Sequence, residues 1–450
     1  MAGTGDADGN RPAGPDTQRE GPAIRSISLG EIEPARSRHM WTRSAVHVAE
    51  NGALVVTGTW DGTVTARETD SLEARWTVDH PDHPVGIATL ERTDDDSSDH
   101  IVIVAGRGLT GTIAAYDATT GDRRWRYDTV DDLGEPVEDS VFYLPYVVAL
   151  ETRGETVYAA ARRYERDGER RQWYSIVYAL DRNGTIRWSY ETDASPIAVD
   201  VDAAGDRVAV GYNRCMGDHD TGVVVLEASA TTDSLRIAGG ETADTGDLAW
   251  TWDPGTEGDR RVGDVAFDGE SLAVASHGDK RGYLLGPGGV ERWCVDLAVE
   301  TKIDGETVYA YPDHASSDDG RVTFVTGNTY ALEGRETASR HPNEHRIATF
   351  DADGGLLWDD DVGGFVHGLA TDGDTVVTPC AQNFRVRDPE THAVRRFDRE
   401  SGPRAVDRLE GVATAAAVAG GTVATIEEPV EYHDDGETRG TYRLHVADLE

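Results

Sequence analysis

The chain has 450 residues, of which 83 are acidic and 43 basic, for a formal net charge of -40. A surface of that sign repels nucleic-acid phosphates and anionic lipid, which argues against either as a general partner. No run of 18 apolar residues occurs, so no membrane-spanning helix is expected.

From the amino terminus, residues 1–22 are polar and rich in Gly, Pro and Asp, and they lack an apolar core, a twin-arginine pair or a lipobox-type cysteine. They read as a disordered tail with no export signal, ahead of a single domain over 23–450. Cys215, Cys294 and Cys380 are far apart, which offers neither a disulfide framework nor a cysteine zinc site and suggests reduced, cytoplasmic thiols. Only Lys280 and Lys302 are lysines. An acidic, Lys-poor composition resembles that of proteins from extremely halophilic archaea, where molar salt shortens the Debye length to roughly 3 Å and screens the like charges.

A short phrase then recurs, an aromatic residue followed three positions later by a carboxylate. It stands at Trp76/Asp79, Trp125/Asp128, Trp188/Glu191, Trp250/Asp253, Trp293/Asp296, Trp358/Asp361 and, with the aromatic changed, Phe397/Glu400. Intervals of 39 to 65 residues with strand-like content are the mark of propeller blades. In the clearest copies a strand (112–116, 176–180, 346–350) runs into an Asp- and Gly-rich turn (117–121, 181–184, 351–354) and re-enters a strand carrying the Trp. Two further strands precede each hairpin, which predicts units over 42–80, 81–130, 142–193, 195–255, 261–298, 304–361 and 364–400.

Three strands at 411–419, 421–427 and 440–448 lack a fourth, and the unassigned segment 23–29 is expected to supply it. Pairing the two chain ends would remove an exposed edge. The expected fold is all-β, one eight-bladed β-propeller of four-stranded antiparallel blades closed by an N-terminal strand. Seven blades is the alternative count, because the sixth unit is long and the eighth divergent.

Segments 115–125 and 178–188 resemble the repeat of pyrroloquinoline-quinone-type propellers, the group that includes quinoprotein alcohol dehydrogenases and the lipoprotein of outer-membrane β-barrel assembly. The similarity spans roughly residues 42–400. It implies that Trp76, Trp125, Trp188, Trp250, Trp293 and Trp358 dock adjacent blades. The quinone enzymes also need calcium, a general base and usually adjacent cysteines, and this chain has no adjacent cysteines. Fold alone does not carry cofactor binding.

With that strand order, long connections at 162–173, 212–220, 327–346 and 428–441 share one face of the disc, where a propeller usually binds. Segment 162–173 concentrates Arg162, Arg163, Arg166, Arg170 and Arg171 beside Trp173, and guanidinium groups suit carboxylate or phosphate. The competing reading is a solvated hairpin tip paired with its own Glu165, Asp167 and Glu169. Arg214, Arg340, His341 and His345 join the candidate partner-binding set. The spacing of His341 and His345, and of His80 and His83, brings no third metal ligand. Cys215 lies near His219, but a lone cysteine is usually inert. No catalytic, cofactor or metal site is assigned. The expected function is a monomeric, non-enzymatic platform for an unidentified protein. The alternative is a divergent quinone-dependent oxidoreductase with pyrroloquinoline quinone and Ca2+ at the central channel.

Overall fold

A computed structural model describes residues 24–36, 42–90, 100–229, 234–236, 242–334, 337–381, 383, 388–432 and 436–449; the tail at 1–22 lies outside them. The chain is all-β, built of antiparallel four-stranded groups in sequence order. The first is Ala45–Ala49, Leu54–Gly58, Thr63–Glu68 and Ala74–Asp79, each strand paired to the next. The same order returns in His83–Leu90 to Arg123–Asp128, in Tyr146–Arg153 to Ile186–Thr192 and in Ser195–Val201 to Leu248–Trp252. It continues in Val262–Asp268 to Glu291–Asp296, in Glu306–Asp318 to Leu356–Asp361 and in Ala370–Asp372 to Gly402–Arg408. In the last group Val412–Ala419, Thr422–Glu428 and Arg443–Asp448 are joined by Arg25–Ser28, with Arg25 opposite Val446 and Ser28 opposite Arg443.

The middle strands of each group are nearly continuous apolar runs, such as 54–58, 101–107 and 223–226, because a blade is covered on both faces by its neighbours. Clusters of buried residues accordingly straddle pairs of groups, as where Val56, Ala66 and Trp76 meet Val102, Ala114 and Tyr116.

The Trp and Gly of the repeated phrase form one joint. Trp76, Trp125, Trp188, Trp293 and Trp358 each donate their indole N–H to a turn carbonyl of the following group, that of Ala118, Arg182, Ala228, Ala352 and Arg399, at 2.8 to 3.0 Å. The turn glycine of that group lies flat on the ring. A Cβ at Gly184 would stand 2.6 Å from Trp125, and its φ of +82° is one that glycine adopts without strain. Trp250 packs against Gly289 in the same way. The Asp that opens each turn caps it: the Oδ1 atoms of Asp117, Asp181 and Asp351 accept two backbone N–H bonds apiece.

The seventh copy of the phrase is a correction. Phe397 lies in the third strand of its group, Ala393–Asp398, and stacks on Trp358 with ring centroids 5.5 Å apart. It receives a docking Trp and does not take the place of one. Four residues after the turn glycine, where Trp125 follows Gly121 and Trp188 follows Gly184, stands Val406, 54 % exposed. The seventh group therefore reaches Arg408, beyond the expected limit of 400. The next group is made from both chain ends, so no turn links its third and fourth strands, and an indole at 406 would find no turn carbonyl.

Side chains also tie neighbouring inner strands. Asp200 accepts the amide of Phe267, Asp264 that of Ala315 at 3.0 Å, Asp268 that of Gly320 at 2.9 Å and Asp372 that of Gly420 at 3.0 Å. These carboxylates hold neighbouring sheets together.

Candidate functional site

One inner strand from each group faces a central cavity of about 2300 Å³. Consecutive inner strands run in the same sense, since Asp264 and Asp268 meet Ala315 and Gly320 in step. Their starts therefore share one mouth and their ends the other.

The mouth at the strand starts is cationic and aromatic. Segment 162–173 is not the loop the sequence suggested. Strands Thr156–Asp167 and Arg170–Asp181 hold an unbroken ladder from Thr156 opposite Asp181 to Asp167 opposite Arg170. The β-branched and aromatic residues at 156–164 and 173–178 favour this continuation. The hairpin projects past the strand before it, whose pairing ends at Tyr146 opposite Arg162.

Alternation along the hairpin places Arg162, Tyr164, Arg166, Arg171 and Trp173 on one side. Arg162 lies over the rings of Trp173 at 4.9 Å and Tyr146 at 5.4 Å and donates to Ser195 Oγ and to the Pro196 carbonyl at 3.2 Å. Ser195 pairs with Arg214, and Arg214 bridges to Arg260, whose guanidinium sits 4.7 Å over Tyr311. Tyr311 packs with Tyr309 and Tyr330 at 5.4 Å each, and Lys280 Nζ stands 4.9 Å over Tyr309. Among the described residues, Arg162, Arg214 and Arg260 have no carboxylate oxygen within 4.0 Å. Burial lowers Arg162 to about 10; Tyr146 opposes the fall, and Arg107 and Arg214 add to it. Burial would raise the Tyr146 phenol, but Arg107, 3.7 Å from its ring, and Arg162 outweigh it and hold the group below the ordinary tyrosine value.

Further along the cavity the lining turns from guanidinium groups to carboxyl groups. Enclosure pushes Glu151 up to about 8, with Asp200 adding to the rise, while burial takes Asp200 to about 6 against the amides that it accepts. His314 Nε2 donates to the Val366 carbonyl, 2.8 Å away, and its Nδ1 sits 3.7 Å from Asp264.

The remaining candidates divide by environment. Arg166, Arg170 and Arg171 are exposed near the hairpin tip. Arg163 points to the other side, where it is buried, donates to the Leu133 carbonyl at 2.7 Å and pairs with Glu165 at 2.8 Å. Arg340 pairs with Glu344 at 3.1 Å. His341 is buried between Thr301 Oγ1 and the Val299 carbonyl, both 3.1 Å away, and His345 lies 3.0 Å from Asn328 Oδ1. His80 contacts the Tyr116 hydroxyl at 3.1 Å, and His83 stacks on Trp60 at 4.0 Å. Burial pushes the Cys215 thiol up to about 12, and His219 bonds to the Thr221 carbonyl, so the two form no reactive pair. Among the described residues no three His, Cys, Asp or Glu side chains gather as a metal site.

Sequence reasoning missed Tyr146, Arg260, Tyr309, Tyr311 and Tyr330. Tyr146, Arg260, Tyr309 and Tyr311 lie outside the segments it singled out, and Tyr330, within 327–346, lies near the end of strand Arg321–Ala331; only the tertiary structure brings them to one mouth.

This architecture defines the class: a β-propeller of repeated four-stranded sheets around a polar channel. Within that class, residues 61–244 match the family model described as outer membrane protein assembly factor BamB. The crystal structure of BamB from Moraxella catarrhalis is similar at a TM-score of 0.52 and 14 % identity, over 94 % of this chain and 98 % of that one. The chain thus shares the BamB-like propeller fold. No curated protein sequence matches it.

Proposed function

We propose that this chain is a non-enzymatic scaffold, an eight-bladed ring sealed by its amino-terminal strand, whose long-loop face holds a protein partner in a reducing compartment. The observation that carries the reading is the projecting hairpin. Tyr143 and Tyr164 stack at 5.7 Å, Trp173 lies tilted on Tyr164 at 4.7 Å, and Leu109, Val137 and Phe142 are 57 %, 54 % and 61 % exposed. Aromatic residues and Arg grouped around exposed apolar side chains are the composition of binding hot spots. The BamB-like fold supports the same role, and three free cysteines support the compartment.

The test is covalent cross-linking in the native cell followed by mass spectrometry of linked peptides. Stoichiometric links from 156–181 to one other protein are expected, and they should vanish when residues 164–173 are replaced by a two-residue turn. Capture of the same protein at full yield by that variant would overturn the reading.

A further inference from the structure

A protein with 83 acidic residues has carboxylates to spare for its 43 basic ones, and many of its described Arg residues are used that way, in pairs such as Arg75–Glu68, Arg281–Asp296 and Arg404–Asp398. The channel mouth gathers three that are not. Arg162, Arg214 and Arg260 follow one another along its lip, joined through Ser195 and an isolated bridge, and among the described residues none has a carboxylate within 4.0 Å. Asp313, which also lines the channel, is taken by His277 at 3.2 Å. Tyr146, Trp173 and Tyr311 hold the Arg162 and Arg260 planes by cation–π contact; Arg162 spends one terminal nitrogen on Ser195 Oγ and the Pro196 carbonyl, and its other N–H groups remain for a further acceptor.

The cationic track does not stop at the lip. Arg171 and Arg166 stand opposite each other on the same side of the hairpin as Arg162 and likewise lack a described carboxylate partner. At about 3.3 Å per residue, the four steps from 162 to 166 carry the track roughly 13 Å outward. A small ion would meet one or two of these groups. A ligand that meets all of them must be extended and must carry several carboxylates.

We infer that the partner engages this protein through an acidic segment, an extended stretch of Asp and Glu laid from the hairpin tip to the channel mouth and read by Arg166, Arg171, Arg162, Arg214 and Arg260. The inference rests on the docking role of the long-loop face. The protein's overall negative charge does not oppose it, because at 0.1 M salt the Debye length is about 10 Å and distant carboxylates are screened while the contacting guanidinium groups are not. Bidentate Arg–carboxylate bonds supply the affinity, and the carboxylates deeper in the channel, Asp200, Asp264 and Asp268, stop the segment at the mouth. Such an interface selects partners by charge pattern and weakens as salt rises.

The test uses the full chain and fluorescein-labelled deca-glutamate, followed by anisotropy, with deca-glutamine as the neutral control and citrate as competitor. Deca-glutamate should bind at least tenfold more tightly than deca-glutamine, and the Arg162→Gln/Arg214→Gln double variant should lose at least tenfold of that affinity. Arg171→Glu, at an exposed position outside the packed sheets, should weaken binding several-fold with an unchanged melting temperature. It keeps the test decisive if the double variant fails to fold. Equal binding of the two peptides, full affinity in Arg171→Glu, or displacement by citrate at the concentration of unlabelled deca-glutamate would each overturn the inference. If cross-links from 156–181 to a partner persist while deca-glutamate does not bind, the acidic segment falls and the docking platform stands.

Discussion

Two kinds of junction hold this molecule together, and they differ in whether a tryptophan meets a glycine turn. At six junctions a fourth-strand Trp packs on the turn of the next sheet, five of them with an indole N–H to a turn carbonyl. The two junctions flanking the sheet made from both chain ends have no such joint. Val406 faces a sheet without the receiving turn, and on the other side Ile27 and Leu29 pack with Leu72, which occupies the turn position elsewhere held by Gly and has φ +58°. In place of indoles this region has a polar clasp. Buried Glu428 accepts from Ser44 Oγ at 2.9 Å and Thr414 Oγ1 at 3.0 Å and is paired with Arg43; Ser44 also meets the Tyr442 hydroxyl at 2.7 Å. The repeated joint needs both a fourth-strand indole and a glycine turn to receive it; where Val406 faces a sheet without the turn and Leu72 holds the glycine position, side chains distant in sequence replace it.

The sharpest way to break the first kind of junction is Trp188→Ala. Trp188 is wholly buried, and loss of its packing and of its bond to Ala228 should cost about 3–5 kcal/mol in denaturant unfolding. The clasp should be nearly as sensitive. Arg43→Met leaves Glu428 buried without its cation and should cost about 3 kcal/mol, with much of the loss recovered in Arg43→Met/Glu428→Leu. Full stability in the single variant would mean that the clasp does not hold the ends.

Gly184→Ala sits between these and the smaller effects. A Cβ 2.6 Å from Trp125 on a residue with φ +82° should cost about 2 kcal/mol, whereas the same change at Gly154, with nothing within 4 Å, should cost only its φ strain of about 1 kcal/mol. The comparison is sharpened most by a change expected to do little. Val406→Trp restores the repeat in sequence but meets no turn, so it should shift stability by less than about 0.5 kcal/mol. A gain of 2 kcal/mol would show that the joint does not need the hairpin.

The smallest expected effect is pH dependence at Glu427, next to the clasp in sequence. Burial raises the Glu427 carboxyl, but the hydrogen bonds from His445 at 2.7 Å and the Gly411 amide at 2.6 Å outweigh it and lower its pKa below the ordinary 4.5. A depressed carboxylate contributes stability that is present above the unfolded value of 4.5 and is lost as pH falls through the folded one. Glu427→Gln should therefore flatten the stability profile below pH 4.5 relative to the parent, as read from melting at stepped pH. A profile unchanged in that range would remove Glu427 from the account.

The repeated Trp, the Asp- and Gly-rich turns and the apolar runs determine strands, hairpins and propeller-type sheets from sequence alone, because each depends on residues close in the chain. The sequence also marked the Arg-rich hairpin. It misplaced Phe397, since spacing cannot tell a third strand that receives a Trp from a fourth that carries one. Only the tertiary structure decided that 162–173 is a ladder rather than a loop, that Arg162, Arg214 and Arg260 share a lip with Tyr146 and Tyr311, and that His341 and His345 are enclosed. Those are relations between sheets, and they arise when strands far apart in sequence are brought to a common axis by packing on their neighbours.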